Sequence, residues 1–129
     1  PCPGFEFNLT HCEGMALLAL SQDCPVGVDL EYVRSRPAQM KIARRLFTRS
    51  VQDELASLPT DQLAAAFTRS WTEYEARAKC LGAGIFSTVT RNEEISTCHF
   101  TPQPGWIACV AGLTGKGGFI TLKHLNFML

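Results

Sequence analysis

The sequence lacks the features that mark several large classes of protein. It has 12 Lys plus Arg and 12 Asp plus Glu in 129 residues, so it lacks the basic excess typical of nucleic-acid-binding domains. It has no apolar run of the roughly 18 residues that a membrane-spanning helix needs. The first residues show no basic and then apolar signal pattern. These absences predict a cytoplasmic protein that binds neither nucleic acid nor membrane.

Cysteine and histidine are present, but not in a pattern that binds zinc. The six cysteines form no C-x-x-C pair, and the three histidines have no zinc spacing relative to them. An even number of cysteines is compatible with disulfides in a secreted protein. Several lie inside apolar runs such as residues 106–111, so we expect reduced thiols that serve mainly in packing. With 46% apolar residues, the chain can bury a core, and residues 1–129 are predicted to form a single domain.

Hydrophobic periodicity predicts strands, then helices, then strands. The strand-like segments are 5–10, 15–20, 26–32, 95–101, 106–111 and 119–127, with hairpin turns at 11–14 and 115–118. Helices are expected over about 37–47, from Thr48 or Ser50 to near Pro59, and from a Thr60 cap to Leu81 before Gly82. This order predicts an α+β domain with helices packed on one side of an antiparallel sheet.

Two carboxylates that lie two positions apart form the first candidate site. Within segment 26–32, Val28 and Leu30 share one face, while Asp29 and Glu31 share the other. Adjacent acids repel, and burying them without compensation is costly. A magnesium ion would resolve the conflict, because it typically binds one or two carboxylates together with waters and substrate phosphates. Alternatively, Asp29 and Glu31 lie on the solvated outer face of an edge strand, where water compensates their charges.

The third predicted helix adds an acid and a lysine on one stripe. Trp71, Glu75 and Lys79 are four residues apart and therefore lie on one helical face. Glu75 and Lys79 could form an ordinary surface ion pair. However, this helix is rich in alanine and aromatic residues, which predicts that it is largely buried, and buried charged groups need partners. A metal ion for Glu75 and a phosphate for Lys79 would supply them.

Three segments resemble the motifs of one enzyme family. They are residues 7–11 (FNLTH), 26–31 (VGVDLE) and 71–79 (WTEYEARAK). In order and spacing they are similar to the F-N-[IL]-S-H-S, [VI]-G-[VI]-D-[IL]-E and W-[ST]-x-K-E-A-x-x-K motifs of the 4′-phosphopantetheinyl transferase superfamily. The resemblance is close over residues 4–86. The remaining residues resemble the family only in their pattern of strands. The chain looks most like the second half of the larger, surfactin-synthetase-activating type, whose chains contain two similar halves.

This resemblance implies an activity and a set of site residues. The implied reaction transfers 4′-phosphopantetheine from coenzyme A to a serine of an apo acyl or peptidyl carrier protein, with Mg²⁺, and releases 3′,5′-ADP. Asp29, Glu31 and Glu75 match the acids that hold magnesium against the coenzyme A pyrophosphate. Lys79 matches the lysine that contacts those phosphates, and Glu75 is the candidate base for the serine proton.

The resemblance also places residues near the adenosine end of coenzyme A, with departures from the family pattern. Thr10 and His11 match a Ser-His pair near the 3′-phosphate, and Thr10 keeps the hydroxyl. Cys12 stands where the family has a second serine. Tyr74 stands where the family has a lysine, which removes one positive charge. A non-catalytic domain that binds coenzyme A or a carrier therefore remains the alternative, as does an inactive fragment of a two-half enzyme.

Two further expectations concern partners. Residues 32–52 contain six basic side chains and no acidic one, so this stretch could dock an acidic carrier protein or could be a solvated helix face. The resemblance further predicts that an upstream half is missing from the chain. We therefore expect either a homo-oligomer or pairing with that N-terminal half.

Overall fold

A computed structural model describes residues 4–22, 24–82, 95–114 and 120. Its elements in chain order are β1 (Phe5–Cys12), β2 (Met15–Gln22), β3 (Val26–Tyr32), α1 (Gln39–Leu46), α2 (Arg49–Ser57), α3 (Thr60–Cys80), β4 (Ile95–Phe100) and β5 (Trp106–Leu113). The predicted α+β class is confirmed. The predicted strand at 119–127 and turn at 115–118 lie outside the described residues, apart from residue 120.

The first two strands form the expected hairpin. β1 and β2 pair antiparallel, with Cys12 opposite Met15. Glu13 and Gly14 make the turn with φ values of +49° and +80°, a region that glycine enters without steric cost. The strands extend further toward the turn than the periodicity predicted, so that only two residues connect them.

The other three strands form a second antiparallel sheet in the order β3-β5-β4. The hairpin of β1 and β2 is a separate two-stranded sheet that packs against β3. One hydrogen bond between them runs from the Val28 amide to Asn8 Oδ1, at 2.9 Å. Thr10 on the hairpin therefore lies beside the strand that carries Asp29.

The helix boundaries partly follow the predictions. Helix α1 begins at Gln39, two positions after Pro37, and Thr48 caps α2 by accepting a hydrogen bond from the Val51 amide at 3.4 Å. The prediction that Thr60 caps α3 is wrong, because Pro59 takes the cap position and no side chain caps the helix. The prediction for Gly82 is confirmed, since its φ of +62° follows the last turn of α3.

Helix α3 packs against both the sheet and the other helices. Ala76 lies fully buried in a cluster with Cys109 of β5. Phe67 lies in a second cluster with Leu55 of α2, and its ring centre is 5.7 Å from that of Phe47. Removing a buried ring of this kind typically costs about 3–5 kcal/mol. Helix α3 is therefore anchored on two sides, which fixes where its polar residues face.

Within the described part of the chain, no helix combines the length and apolarity needed to cross a membrane.

Candidate functional site

A glycine allows α3 to lie directly on β3. A Cβ atom at Gly27 would stand 2.5 Å from the Cys80 nitrogen and closer still to the Ala76 carbonyl oxygen. Real Cβ atoms are not found at such distances from backbone atoms. Glycine at this position therefore permits a close approach that brings the last turn of α3 onto the strand carrying Asp29.

Lys79 is the centre of the resulting polar cluster. Its ammonium group donates hydrogen bonds to Asp29 Oδ1 at 3.1 Å and to the Val28 carbonyl at 3.0 Å. A third contact, to Thr10 Oγ1, is at 3.5 Å. A lysine ammonium has three donors, so all three have a partner in this arrangement. The structure thus brings together three predicted site residues from β1, β3 and α3.

Asp29 is buried and only partly satisfied. It is 6% exposed, and its Oδ2 is the single buried side-chain oxygen or nitrogen in the described residues without a hydrogen-bond partner. Burial raises the pKa of Asp29 from its ordinary 3.8 to about 6, although the adjacent Lys79 ammonium lowers it. The negative charges of Glu31 and Glu75 raise the pKa further. A buried carboxylate oxygen without a partner is costly, and a cation would satisfy it.

Glu31 is held by an arginine that sequence reasoning did not place in the site. Arg36 Nη2 donates to Glu31 Oε2 at 2.8 Å, and the Cys12 thiol lies 3.9 Å from the same oxygen. In the sequence, Arg36 stands out only as one of six basic residues in the possible docking stretch. Its position five residues after Glu31 was an available signal, but the intervening loop geometry could not be derived from periodicity.

Glu75 lies on the same side of α3, half-buried. Burial raises the pKa of Glu75, the Lys79 ammonium lowers it, and the charge of Glu31 raises it. Asp29, Glu31 and Glu75 therefore influence one another electrostatically. Within the ranges that the structure describes, however, no three His, Cys, Asp or Glu side chains are close enough together to hold a metal ion.

The chemistry of the donors nevertheless fits magnesium. Mg²⁺ is usually bound by one or two carboxylates, with waters and phosphates completing the octahedron, and does not require a cage made wholly of protein. The partnerless oxygen of Asp29 is a hard ligand of the required kind. The fit therefore rests on Asp29 and the adjacent acids, not on a preformed three-carboxylate site.

Thr10 and His11 face in opposite directions. Thr10 is buried and lies within 3.5 Å of the Lys79 ammonium, whereas the next residue on β1 is exposed. This is the alternation that any strand imposes on consecutive side chains. The structure brings Thr10 into the cluster, and places His11 on the outer face of the hairpin.

Tyr74 belongs to an aromatic cluster. Its ring centre lies 6.2 Å from those of both Phe47 and Trp71. The residue that departs from the family pattern thus contributes packing between α3 and the end of α1, where a lysine would be less favourable. Trp71, from the predicted polar stripe, also stacks on Phe67.

The six basic residues of the stretch lie in different surroundings. Arg34 pairs with Glu13 at 3.3 Å and Arg49 with Asp53 at 3.0 Å, in addition to the Arg36 pair. Three of the six lie exposed on α1 with spacings of three and four, which places them on one face of the helix: Lys41, Arg44 and Arg45. Any docking surface for an acidic partner is therefore narrower than the sequence suggested.

Comparisons with known proteins identify the family of this chain. Residues 25–120 match the 4′-phosphopantetheinyl transferase superfamily. The chain is 39% identical to the 4′-phosphopantetheinyl transferase HetI of Nostoc sp. over 101 residues, which are 78% of the chain and 41% of that relative. It is 31% identical to AcpT of Escherichia coli K12 over 97 residues, covering 72% of the chain and 50% of the relative.

A third relative is of the type that the sequence analysis named. The chain is 27% identical to the 4′-phosphopantetheinyl transferase Sfp of Bacillus subtilis over 89 residues, covering 66% of the chain and 38% of the relative. It thus spans half or less of the length of these three relatives. The family match includes the strand with Asp29 and Glu31 and the helix with Glu75 and Lys79. The chain therefore belongs to the 4′-phosphopantetheinyl transferase superfamily.

Proposed function

We propose that this chain, alone or as part of a longer protein, transfers 4′-phosphopantetheine from coenzyme A to a serine of an apo carrier protein and releases 3′,5′-ADP. The observation that carries the proposal is the Lys79 cluster. It places an ammonium group, a partnerless carboxylate oxygen of Asp29 and the Thr10 hydroxyl within a few ångströms of one another. Such a set suits a pyrophosphate that arrives with a divalent cation.

Asp29, Glu31 and Glu75 are the residues that would hold Mg²⁺. When bound, the ion would neutralise charge that develops on the pyrophosphate oxygens during transfer. Burial, and to a smaller extent the negative charge of Glu31, raises the pKa of both Asp29 and Glu75. A cation between them would lower both pKa values.

Lys79 would bind the phosphate group that leaves. Its ammonium is already anchored by Asp29 and by the Val28 carbonyl, and the longest of its three contacts is the 3.5 Å contact to Thr10. We infer that this third donor turns toward a phosphate oxygen, because its contact with Thr10 is the longest and therefore the weakest of the three. The Thr10 hydroxyl would then be free to donate to the same phosphate or to its neighbour.

Glu75 would accept the proton of the attacking serine. As a new bond forms between the serine oxygen and the β-phosphorus, the bond from that phosphorus to the bridging oxygen breaks, and 3′,5′-ADP takes the electron pair. The hydroxyl proton passes to the Glu75 carboxylate, directly or through water. Burial raises the pKa of this carboxyl, which makes it a stronger base than an exposed glutamate.

The remaining residues would position the two substrates. The resemblance proposes Thr10 and His11 near the 3′-phosphate end of coenzyme A, and of the two it is Thr10 that lies on the side of β1 facing the Lys79 cluster. The exposed cations of α1, Lys41 and Arg44 among them, are proposed to meet the acidic carrier protein.

A non-catalytic role is the second candidate. Its support is the aromatic packing of Tyr74, which leaves the position of the family's lysine without a cation. Under this alternative the chain binds coenzyme A or a carrier without turnover.

Intact-mass spectrometry of a carrier protein separates these candidates. The purified chain is incubated with coenzyme A, Mg²⁺ and an apo acyl carrier, with a chelator and a carrier lacking its acceptor serine as controls. A metal-dependent mass gain equal to one phosphopantetheine group supports the proposed transferase. Coenzyme A binding without a mass gain would favour the non-catalytic candidate. If the chain neither binds coenzyme A nor modifies the carrier, it is an inactive fragment.

A further inference from the structure

Arg36 and Glu31 form an ion pair whose geometry has a direct consequence for the proposed metal site. The pair is short, at 2.8 Å, and both side chains are partly exposed, at 24% for Arg36 and 21% for Glu31. Its partial exposure leaves Glu31 accessible to a small ion, while its partial burial limits screening by solvent. The acid that the resemblance assigns to the metal thus already has a strong partner.

The arginine is held in place by the start of α1. The Gln39 amide donates to the Arg36 carbonyl at 3.1 Å, and the Arg36 amide donates to Gln39 Oε1 at 3.4 Å. Gln39 itself is buried, at 7% exposure. These two bonds link residues 36 and 39 in both directions and so restrain the backbone from which the guanidinium reaches Glu31.

The proposed site therefore combines two cationic side chains, Arg36 and Lys79, with three carboxylates. Lys79 engages Asp29 but leaves its Oδ2 without a partner, so a metal ion could bind there without displacing the lysine. The pair at Glu31 is different, because Arg36 occupies an oxygen that a metal ion would need and also repels a divalent charge.

We propose that Arg36 competes with the divalent cation for Glu31 and thereby weakens metal binding at this site. The inference rests on the proposed function, since it takes Asp29, Glu31 and Glu75 as the metal ligands. Binding of the ion exchanges the Arg36–Glu31 bond for a metal–carboxylate bond. The opposite role, an arginine that orients Glu31 for the metal, predicts weaker binding when Arg36 is removed.

Mn²⁺ binding measured by electron paramagnetic resonance tests the competition without any turnover. We expect Arg36→Ala to bind Mn²⁺ roughly two- to fivefold more tightly than the wild type, in line with a partly exposed ion pair. Arg34→Ala is the matched control, because this neighbouring arginine pairs with Glu13 in the hairpin turn at 3.3 Å. Its Mn²⁺ affinity should change by less than about twofold.

Two further variants protect the test against misfolding and indirect effects. Arg36→Gln keeps a donor for Glu31 without the charge, and should also bind Mn²⁺ more tightly, with an unchanged circular dichroism spectrum. In a Glu31→Gln background, Arg36→Ala should give little or no additional gain if the arginine acts through Glu31.

The outcomes separate this inference from the proposed function. A wild type that binds Mn²⁺ while both Arg36 variants bind it equally or less tightly overturns the competition and leaves the metal site standing. A gain that persists in full in the Glu31→Gln background also overturns it. A wild type that binds no Mn²⁺ overturns both the competition and the proposed metal site.

Discussion

Lys79 and Asp29 meet at 3.1 Å although they are 50 residues apart in the chain. Their contact depends on the close approach of α3 to β3, which the absence of a side chain at Gly27 allows. The sequence motif that contains Asp29 thus carries, two positions earlier, the residue that brings the lysine to it. This coupling leads to the first prediction.

Gly27→Ala should destabilise the protein by about 3 kcal/mol or more, the upper end for overpacking, because the added methyl meets backbone atoms that cannot rotate away. Urea unfolding followed by circular dichroism measures the change. Gly4→Ala is the control, since a Cβ there has no neighbour within 4 Å. Equal unfolding midpoints for the two variants would contradict the close-approach argument.

Asp29→Asn and Glu75→Gln should each abolish metal-dependent binding of coenzyme A. Both changes keep the side-chain shape but remove a charged ligand from the proposed metal site. Isothermal titration calorimetry with and without Mg²⁺ measures the binding. Glu54→Gln, an exposed acid on α2, should bind as the wild type does. Unchanged binding in both site variants would contradict the assignment of the metal ligands.

The raised pKa of Asp29 predicts how stability depends on pH. In the folded protein this pKa is about 6, against an ordinary 3.8, so the folded state favours the protonated carboxyl. Its contribution is therefore fully present below about pH 4 and is lost as the pH rises through 6. The difference in unfolding free energy between wild type and Asp29→Asn should shift by on the order of 2 to 3 kcal/mol over this window.

Chemical denaturation of both proteins at pH 4.0, 5.0 and 6.5 in a chelator measures this shift. Because all other carboxyls titrate in both proteins, the comparison isolates Asp29. A difference that stays constant across the window would mean that the carboxyl is not desolvated in the folded state.

Lys79 and the exposed cations of α1 should affect different kinetic constants. Lys79→Ala should lower kcat for carrier modification at saturating carrier, because the leaving phosphate loses its ammonium partner. Arg44→Ala should instead raise the KM for the carrier, with the largest effect at low salt, where surface charges are least screened. Steady-state assays at two ionic strengths measure both constants. A change in the carrier KM for Lys79→Ala together with a change in kcat for Arg44→Ala would contradict the two assignments.

The outer face of the hairpin predicts self-association. Phe7 opposes Leu20 and Leu9 opposes Leu18 across the two strands, and these side chains are 58–69% exposed. An apolar strip of this kind is unusual on a monomer, and a second copy of the chain is the partner we expect. Light scattering across a concentration series should give more than the monomer mass, and Leu20→Lys should restore the monomer. A monomer mass at high micromolar concentration would contradict the expectation.

Periodicity was sufficient to predict the hairpin, the strand with Asp29 and Glu31, and the long helix with Glu75 and Lys79. It could not predict that Pro59, and not Thr60, occupies the cap position of that helix, because both residues favour helix starts. The pairing of Arg36 with Glu31 depends on a loop whose path no periodic signal describes. The opposite directions of Thr10 and His11 were not predicted, because periodicity ended the strand at Thr10 and placed His11 in the turn, whereas β1 continues to Cys12.

The site lies across a seam between two sheets. Thr10 comes from the hairpin and Asp29 from the larger sheet, while the Val28 amide reaches across to the Asn8 side chain. A ligand that contacts both the hairpin and the three-stranded sheet would hold them together, and would oppose the opening motions that expose amides between them. Hydrogen exchange at Val28 should therefore slow when coenzyme A binds, and the degree of slowing would report how firmly the nucleotide joins the two sheets.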